Sequence, residues 1–207
     1  MQRWQIGLIK AAVWVACLVP LTRLVLRAVG IAGPILADPV YDIEHALGNA
    51  GLTILLITLA VTPVRILTGF NGLVRFRRLL GLFSFFYICL HFTAFVWLDL
   101  RFDWSRIFGE IAMRPYLTLG MLALVLMIPL AVTSTRGMQR RLGRRWVSLH
   151  RLIYVIAILG VWHFWWQVKA DISEPAIYAG ILGLLLGYRV WRANLRRRRR
   201  QTAVRSS

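Results

Sequence analysis

Acidic residues are scarce in this chain: 8 Asp and Glu stand against 26 Lys and Arg in 207 residues. None of the eight falls inside a long apolar stretch. A proton pump or proton-coupled transporter is expected to carry carboxylates at membrane depth, so that class is disfavoured. Cysteine is nearly absent as well. Cys17 and Cys89 sit in different apolar stretches without C-x-x-C spacing, which implies neither a disulfide framework nor a zinc site. They read as small apolar packing residues. The chain also lacks G-x-G-x-x-G, a P-loop and H-E-x-x-H, which disfavours nucleotide-binding and metalloprotease readings. No internal repeat or low-complexity linker stands out, and the loops are short.

What the chain has instead is apolar length. Hydrophobic residues make up 58% of it, and a run of about 20 such residues crosses a hydrocarbon core as a helix. Six runs of this kind are predicted as spans: 8–29, 48–67, 79–98, 116–133, 149–168 and 176–190. The first is too long for a signal peptide and lacks a clear small-residue cleavage site. The expectation is an all-α integral membrane protein, a six-transmembrane-helix bundle over 1–191, followed by a basic tail over 192–207 that reads as disordered through its arginine run.

The net charge of +18 resembles a nucleic-acid signal, but its placement points elsewhere. Asp38, Asp42, Glu44, Asp99, Asp103, Glu110, Asp171 and Glu174 fall in the connections after spans one, three and five. The arginines crowd the opposite connections: Arg65, Arg75, Arg77 and Arg78; Arg136, Arg140, Arg141, Arg144 and Arg145; and Arg189 onward. Basic residues are retained on the cytoplasmic side, so both termini are expected in the cytoplasm, with the tail against anionic headgroups. No folded soluble module accompanies the arginines, so no nucleic-acid partner is expected. Trp97, Trp104, Trp162, Trp165 and Trp166 lie toward the outer ends of spans three and five and read mostly as an interfacial belt.

An ionisable side chain at membrane depth is a functional-site candidate by default. His91 lies twelve residues into span three, about 18 Å at 1.5 Å per residue. His163 lies fourteen residues into span five, about 21 Å by the same rise. Two imidazoles at one depth on two helices suit the two faces of a haem iron. His150 opens span five about 19.5 Å below His163, where a second haem would need a ligand from span three. The matching positions there hold Arg77 and Arg78. Arginine is a poor iron ligand and a good partner for a haem propionate. One complete and one incomplete bis-histidine site are therefore expected, with Arg77 near the inner one as an unusual ligand or, preferably, as a propionate anchor. Gly160, three residues before His163, either leaves room for a flat macrocycle or serves close helix packing. His45 reads as a hydrated loop or helix-start residue. Pro63 and Pro129 are candidate helix kinks. The chain as a whole reads as a b-type cytochrome-like electron carrier, against a haem-free structural or transport protein.

Several motifs in order carry a family resemblance. Arg77-Arg78-Leu79-Leu80-Gly81-Leu82, Leu90-His91, Arg114-Pro115-Tyr116-Leu117-Thr118-Leu119-Gly120, Thr133-Ser134-Thr135, Met138-Gln139-Arg140, Leu149-His150, the His163 region and the segment from Asp38-Pro39 to His45 resemble the MsrQ (YedZ) family of the ferric-reductase-like transmembrane group. That group pairs histidines on its third and fifth helices; here arginine replaces the inner helix-three histidine. The resemblance implies b-type haem, one or two per chain, held by His91, His163 and His150, with Arg77 and Arg78 against anionic cofactor groups. FMN follows from the resemblance alone. It implies a multi-pass protein of the bacterial inner membrane that takes electrons from the quinone pool or a cytoplasmic flavin reductase. The recipient would be a periplasmic molybdopterin subunit, MsrP-like, forming a heterodimer and reducing methionine sulfoxide in damaged proteins. The sulfoxide chemistry would belong to that partner. Fewer than twenty residues follow Val190, so the donor is expected to be a separate molecule. A stand-alone ferric reductase is the alternative.

Overall fold

The chain is all-helical over the residues described by the computed structural model, 3–31, 38–168 and 171–205. The longest buried element shows how sequence starts and stops a helix. Asp38 caps it by accepting the Tyr41 amide at 3.2 Å, Pro39 occupies the first turn, and Gly69 ends it at φ 71°. Asp is a strong N-cap, proline is pre-set for the first turn, and glycine takes the left-handed exit without a Cβ penalty. This helix, α2 (Pro39–Thr68), follows α1 (Arg3–Ala28). After a 3-10 segment (Asn71–Phe76), α3 (Arg77–Ala94) runs on into one π-helical turn, Phe95–Asp99. Then come α4 (Trp104–Met113), α5 (Pro115–Val132), α6 (Arg136–Leu142), α7 (Arg144–Leu149), α8 (Leu152–Gln167) and α9 (Ser173–Arg205).

Five stretches are long and apolar enough to cross a bilayer: Trp4–Ala28, Pro39–Thr68, Asn71–Asp99, Pro115–Val132 and Arg144–Gln167. The sixth expected span, 176–190, lies within α9. The α9 helix continues to Arg205, whereas the sequence suggests a disordered tail. Arginine is among the better helix formers, so the run extends the helix instead of ending it. Three further differences are local. The connection after span three folds into α4, capped by the Asp103 carboxylate on the Arg106 amide. Asp42 and Glu44 lie in the first turns of α2, and Glu174 in the first turn of α9, not in loops. The fifth span tightens between α7 and α8: His150 and Arg151 keep helical dihedrals, but the Arg151, Ile153 and Tyr154 amides bond three residues back. The Gly33-Pro34 pair, a turn signal in the sequence, lies outside the described residues.

The α2 helix is the centre of the bundle. In its most apolar window 56% of residues are buried, against 6% in α1, which therefore presents most of its surface to lipid. The α2–α3 approach is close because Gly51 has no side chain: a Cβ there would lie 2.6 Å from Ile88 Cδ1. The Ser84 hydroxyl uses that closeness to donate to Gly51 O at 2.8 Å. Small residues at such crossings are the usual means of packing helices in lipid.

Two prolines open helices and are answered from elsewhere. Pro63 has no N–H, so Leu59 O lacks its helical donor; the Arg189 guanidinium of α9 supplies one at 2.7 Å. In α1, Pro20 adjoins a second repair. The Tyr87 hydroxyl donates to Cys17 O at 2.6 Å and accepts the Leu21 amide at 3.1 Å, standing between two groups that a regular helix joins directly. Both repairs bury polar backbone that lipid could not satisfy.

Candidate haem site

The histidines separate into two that meet and two that do not. His91 near the end of α3 and His163 near the end of α8 have ring centroids 6.2 Å apart, with planes crossed at 73°. The Nδ1 atom of His91 lies 2.9 Å from Glu44 O on α2. That of His163 lies 2.7 Å from Tyr116 O on α5. A carbonyl only accepts, so Nδ1 carries the proton on both rings, and each Nε2 keeps its lone pair. A metal-ligating histidine is held in this way, by an acceptor on its other nitrogen.

Both rings border a cavity of about 1060 Å³, open mouth included. Its walls are apolar: Leu52, Leu55, Ile88, Ala123, Met127 and Ile156 are among them, with Gly48, Gly120 and Gly160. The residues present fit a haem on three counts. Two imidazoles on opposite faces of one metal, each bonded at about 2 Å, have centroids about 6 Å apart. The cavity is apolar, as a macrocycle requires. Among the described residues no group of three or more His, Cys, Asp or Glu gathers for a bare metal ion, while a metal already held by a macrocycle needs only axial ligands.

Two glycines missed by the sequence reading form part of this arrangement. A Cβ on Gly120 would lie 2.9 Å from His163 Nδ1, and one on Gly48 would lie 3.3 Å from His91 Nδ1. The signal was present: Leu47-Gly48 with His91-Phe92, and Leu119-Gly120 with His163-Phe164. Each carbonyl-to-histidine pair spans 47 residues. Both halves of the bundle thus repeat one local arrangement, although no repeat stands out from composition. Gly160 borders the cavity too, and a Cβ there would only touch Leu52 at 3.4 Å.

Polar groups collect at the acidic mouth. Glu44 Oε1 is buried and has no hydrogen-bond partner. His45 belongs to α2, its Nε2 3.5 Å from Glu174 Oε2, while Asn49 bridges His45 and Glu174 at 3.4 Å each. The corner preceding α5 is tied down: Arg114 pairs with Glu110 at 2.5 Å and donates to the Tyr116 hydroxyl at 3.1 Å. That hydroxyl bond, the largest cause, raises the Arg114 pKa further.

His150 is not part of this gathering. It ends the short helix α7, stacks on Trp146 at 4.0 Å, and its Nε2 lies 3.3 Å from the Thr133 hydroxyl. That hydroxyl donates to Pro129 O at 2.6 Å, so His150 Nε2 is the donor to it. His150 is not among the residues that line the cavity, and Leu59 and Leu130 are buried in the core. Arg77 sits at this end, within electrostatic range of Arg189, Arg65 and His150; Arg78 is exposed. Trp97, Trp104, Trp162, Trp165 and Trp166 are all exposed on the bundle surface, where an interfacial belt would stand.

Known proteins match this chain over most of its length. The model for the ferric reductase like transmembrane component matches residues 47–161. A "protein-methionine-sulfoxide reductase heme-binding subunit MsrQ" of Xanthomonas campestris pv. campestris is 61% identical over 156 residues, covering 75% of this chain and 72% of that protein. The protein of the same name from Rhodospirillum rubrum is 53% identical over 190 residues, covering 91% and 90%. That from Xanthomonas axonopodis pv. citri is 56% identical over 171 residues, covering 83% and 77%. The paired histidines thus stand in a chain that belongs to the MsrQ family of ferric-reductase-like transmembrane proteins.

Proposed function

We propose that this protein is a membrane electron-transfer subunit that holds one b-type haem between His91 and His163. The observation that carries the reading is the pair of rings 6.2 Å apart beside one apolar cavity, each with Nδ1 engaged on a carbonyl so that Nε2 would be left to hold the haem iron. When bound, the haem supplies a one-electron carrier. The chain does the rest. His91 and His163 bind and orient, the Glu44 and Tyr116 carbonyls fix the tautomer, and the apolar walls exclude water.

The proposal extends to direction and partners. The arginine-rich end faces the cytoplasm, with both termini there and α9 as a sixth span in a bacterial inner membrane. Electrons enter from the quinone pool or a cytoplasmic flavin reductase and leave at the acidic end, where Glu44 and His45 line the cavity. The recipient is an MsrP-like periplasmic subunit that reduces methionine sulfoxide, as the relatives' names suggest. Arg77 and Arg78 offer positive charge to anionic groups at the cytoplasmic end, and His150 anchors the Trp146–Thr133 corner. FMN enters through the family likeness alone. The test is sided reduction: the full chain in sealed proteoliposomes, oriented by protease access to the tail, receives electrons from one side only. A b-type α-band that appears on cytoplasmic-side reduction and disappears on adding an oxidised MsrP-like partner outside is expected. A preparation without any such band overturns the reading.

A further inference from the structure

A side chain on a helix leans toward the N-terminus and covers the backbone of the preceding turn. A residue at position i+4 therefore shields the carbonyl of residue i, which already accepts that residue's amide. Glu44 and Tyr116 are the carbonyls used by the two histidines, and Gly48 and Gly120 stand four residues after them. Without a Cβ at those positions, each carbonyl is open to a second donor, and each ring lies flat against the helix beside it.

The geometry points to Gly48 and Gly120 as positioning residues that set the tautomer and the plane of the two haem-binding rings. This rests on the haem reading above and adds to it. The same clamp is built twice, on α2 against α3 and on α5 against α8, at positions 72 residues apart (48 to 120, 91 to 163). The two clamps cross the ring planes at 73°. Locking ring orientation through the non-ligating nitrogen also raises ligand basicity. Crossed imidazole planes donate into two perpendicular iron d orbitals and leave them nearly degenerate in the ferric state. That gives a strongly anisotropic low-spin EPR spectrum, while parallel planes give a rhombic one with a smaller largest g value.

The two clamps differ in tightness, which makes the inference quantitative. An alanine at 120 meets His163 at 2.9 Å, below any ordinary contact, and one at 48 meets His91 at 3.3 Å. The experiment is low-temperature EPR and haem titration on the full chain and on Gly120→Ala, Gly48→Ala and Gly81→Ala. Gly81 has open space where its Cβ would stand. The expected result is a strongly anisotropic signal in the parent and Gly81→Ala, a clear fall in the largest g value or about tenfold weaker haem binding in Gly120→Ala, and a smaller change of the same sign in Gly48→Ala. If Gly120→Ala does not fold, Gly48→Ala decides. Haem bound with spectrum and affinity unchanged in the alanine variants, or an equal change in Gly81→Ala, overturns the inference while leaving the haem reading standing. A parent chain that binds no haem overturns the haem reading itself.

Discussion

The two ends of the α3–α8 pair carry similar helices and opposite interiors. At the acidic end the helices stand around a cavity, and each contributes one histidine with a free Nε2. At the basic end Leu59 and Leu130 are buried in the core, His150 lies against Trp146 and Thr133, and Arg189 donates to Leu59 O and the Tyr154 hydroxyl. Two histidines of one helical run thus stand in different surroundings, one beside a cavity and one against Trp146 and Thr133. At the acidic end Gly48, Gly120 and Gly160 border the cavity, and the first two let the histidine rings lie close to α2 and α5. At the basic end the half-buried Arg189 reaches the carbonyl that Pro63 leaves without a helical donor.

The contrast can be broken most severely by filling the cavity. Gly160→Leu places a branched side chain where only Leu52 is near, so the bundle should fold while haem content falls below about a tenth of the parent, read by absorbance against protein. At the basic end, Arg189→Met leaves Leu59 O, on a residue with 0% exposure, without a donor. The expected cost is about 1–3 kcal/mol of stability, seen as a lower midpoint of thermal unfolding in detergent. Tyr87→Phe lets Cys17 O and Leu21 N close on each other as in a regular helix, so it should cost only about 1 kcal/mol and leave haem content unchanged. His150→Ala removes one bond to Thr133 and the Trp146 stack; haem content should stay within measurement error of the parent. Loss of half the haem there would show that the basic end holds a cofactor after all.

Much of the contrast was legible in the chain. The apolar runs gave five of the membrane helices, and the depths of His91 and His163 anticipated their meeting. Histidines at membrane depth are conspicuous because polar residues there are costly. The clamps were not read, because a glycine's use depends on a partner 43 residues away (48 to 91, 120 to 163). The tightening at His150 was hidden by unbroken hydropathy: Ser148 and His150 interrupt the run no more than His163 does, and the Trp146 bond to Thr133 O is made across the bundle. The helix α4 was missed because its apolar face is short and its Asp103 cap looked like loop chemistry.

The most direct measurement is the molar ratio of extractable haem to polypeptide in the purified full chain, His91→Ala and His163→Ala. One per chain in the parent and none in either variant is the result this account predicts. A ratio of two in the parent, or haem persisting at parental level after removal of one of these rings, would contradict it.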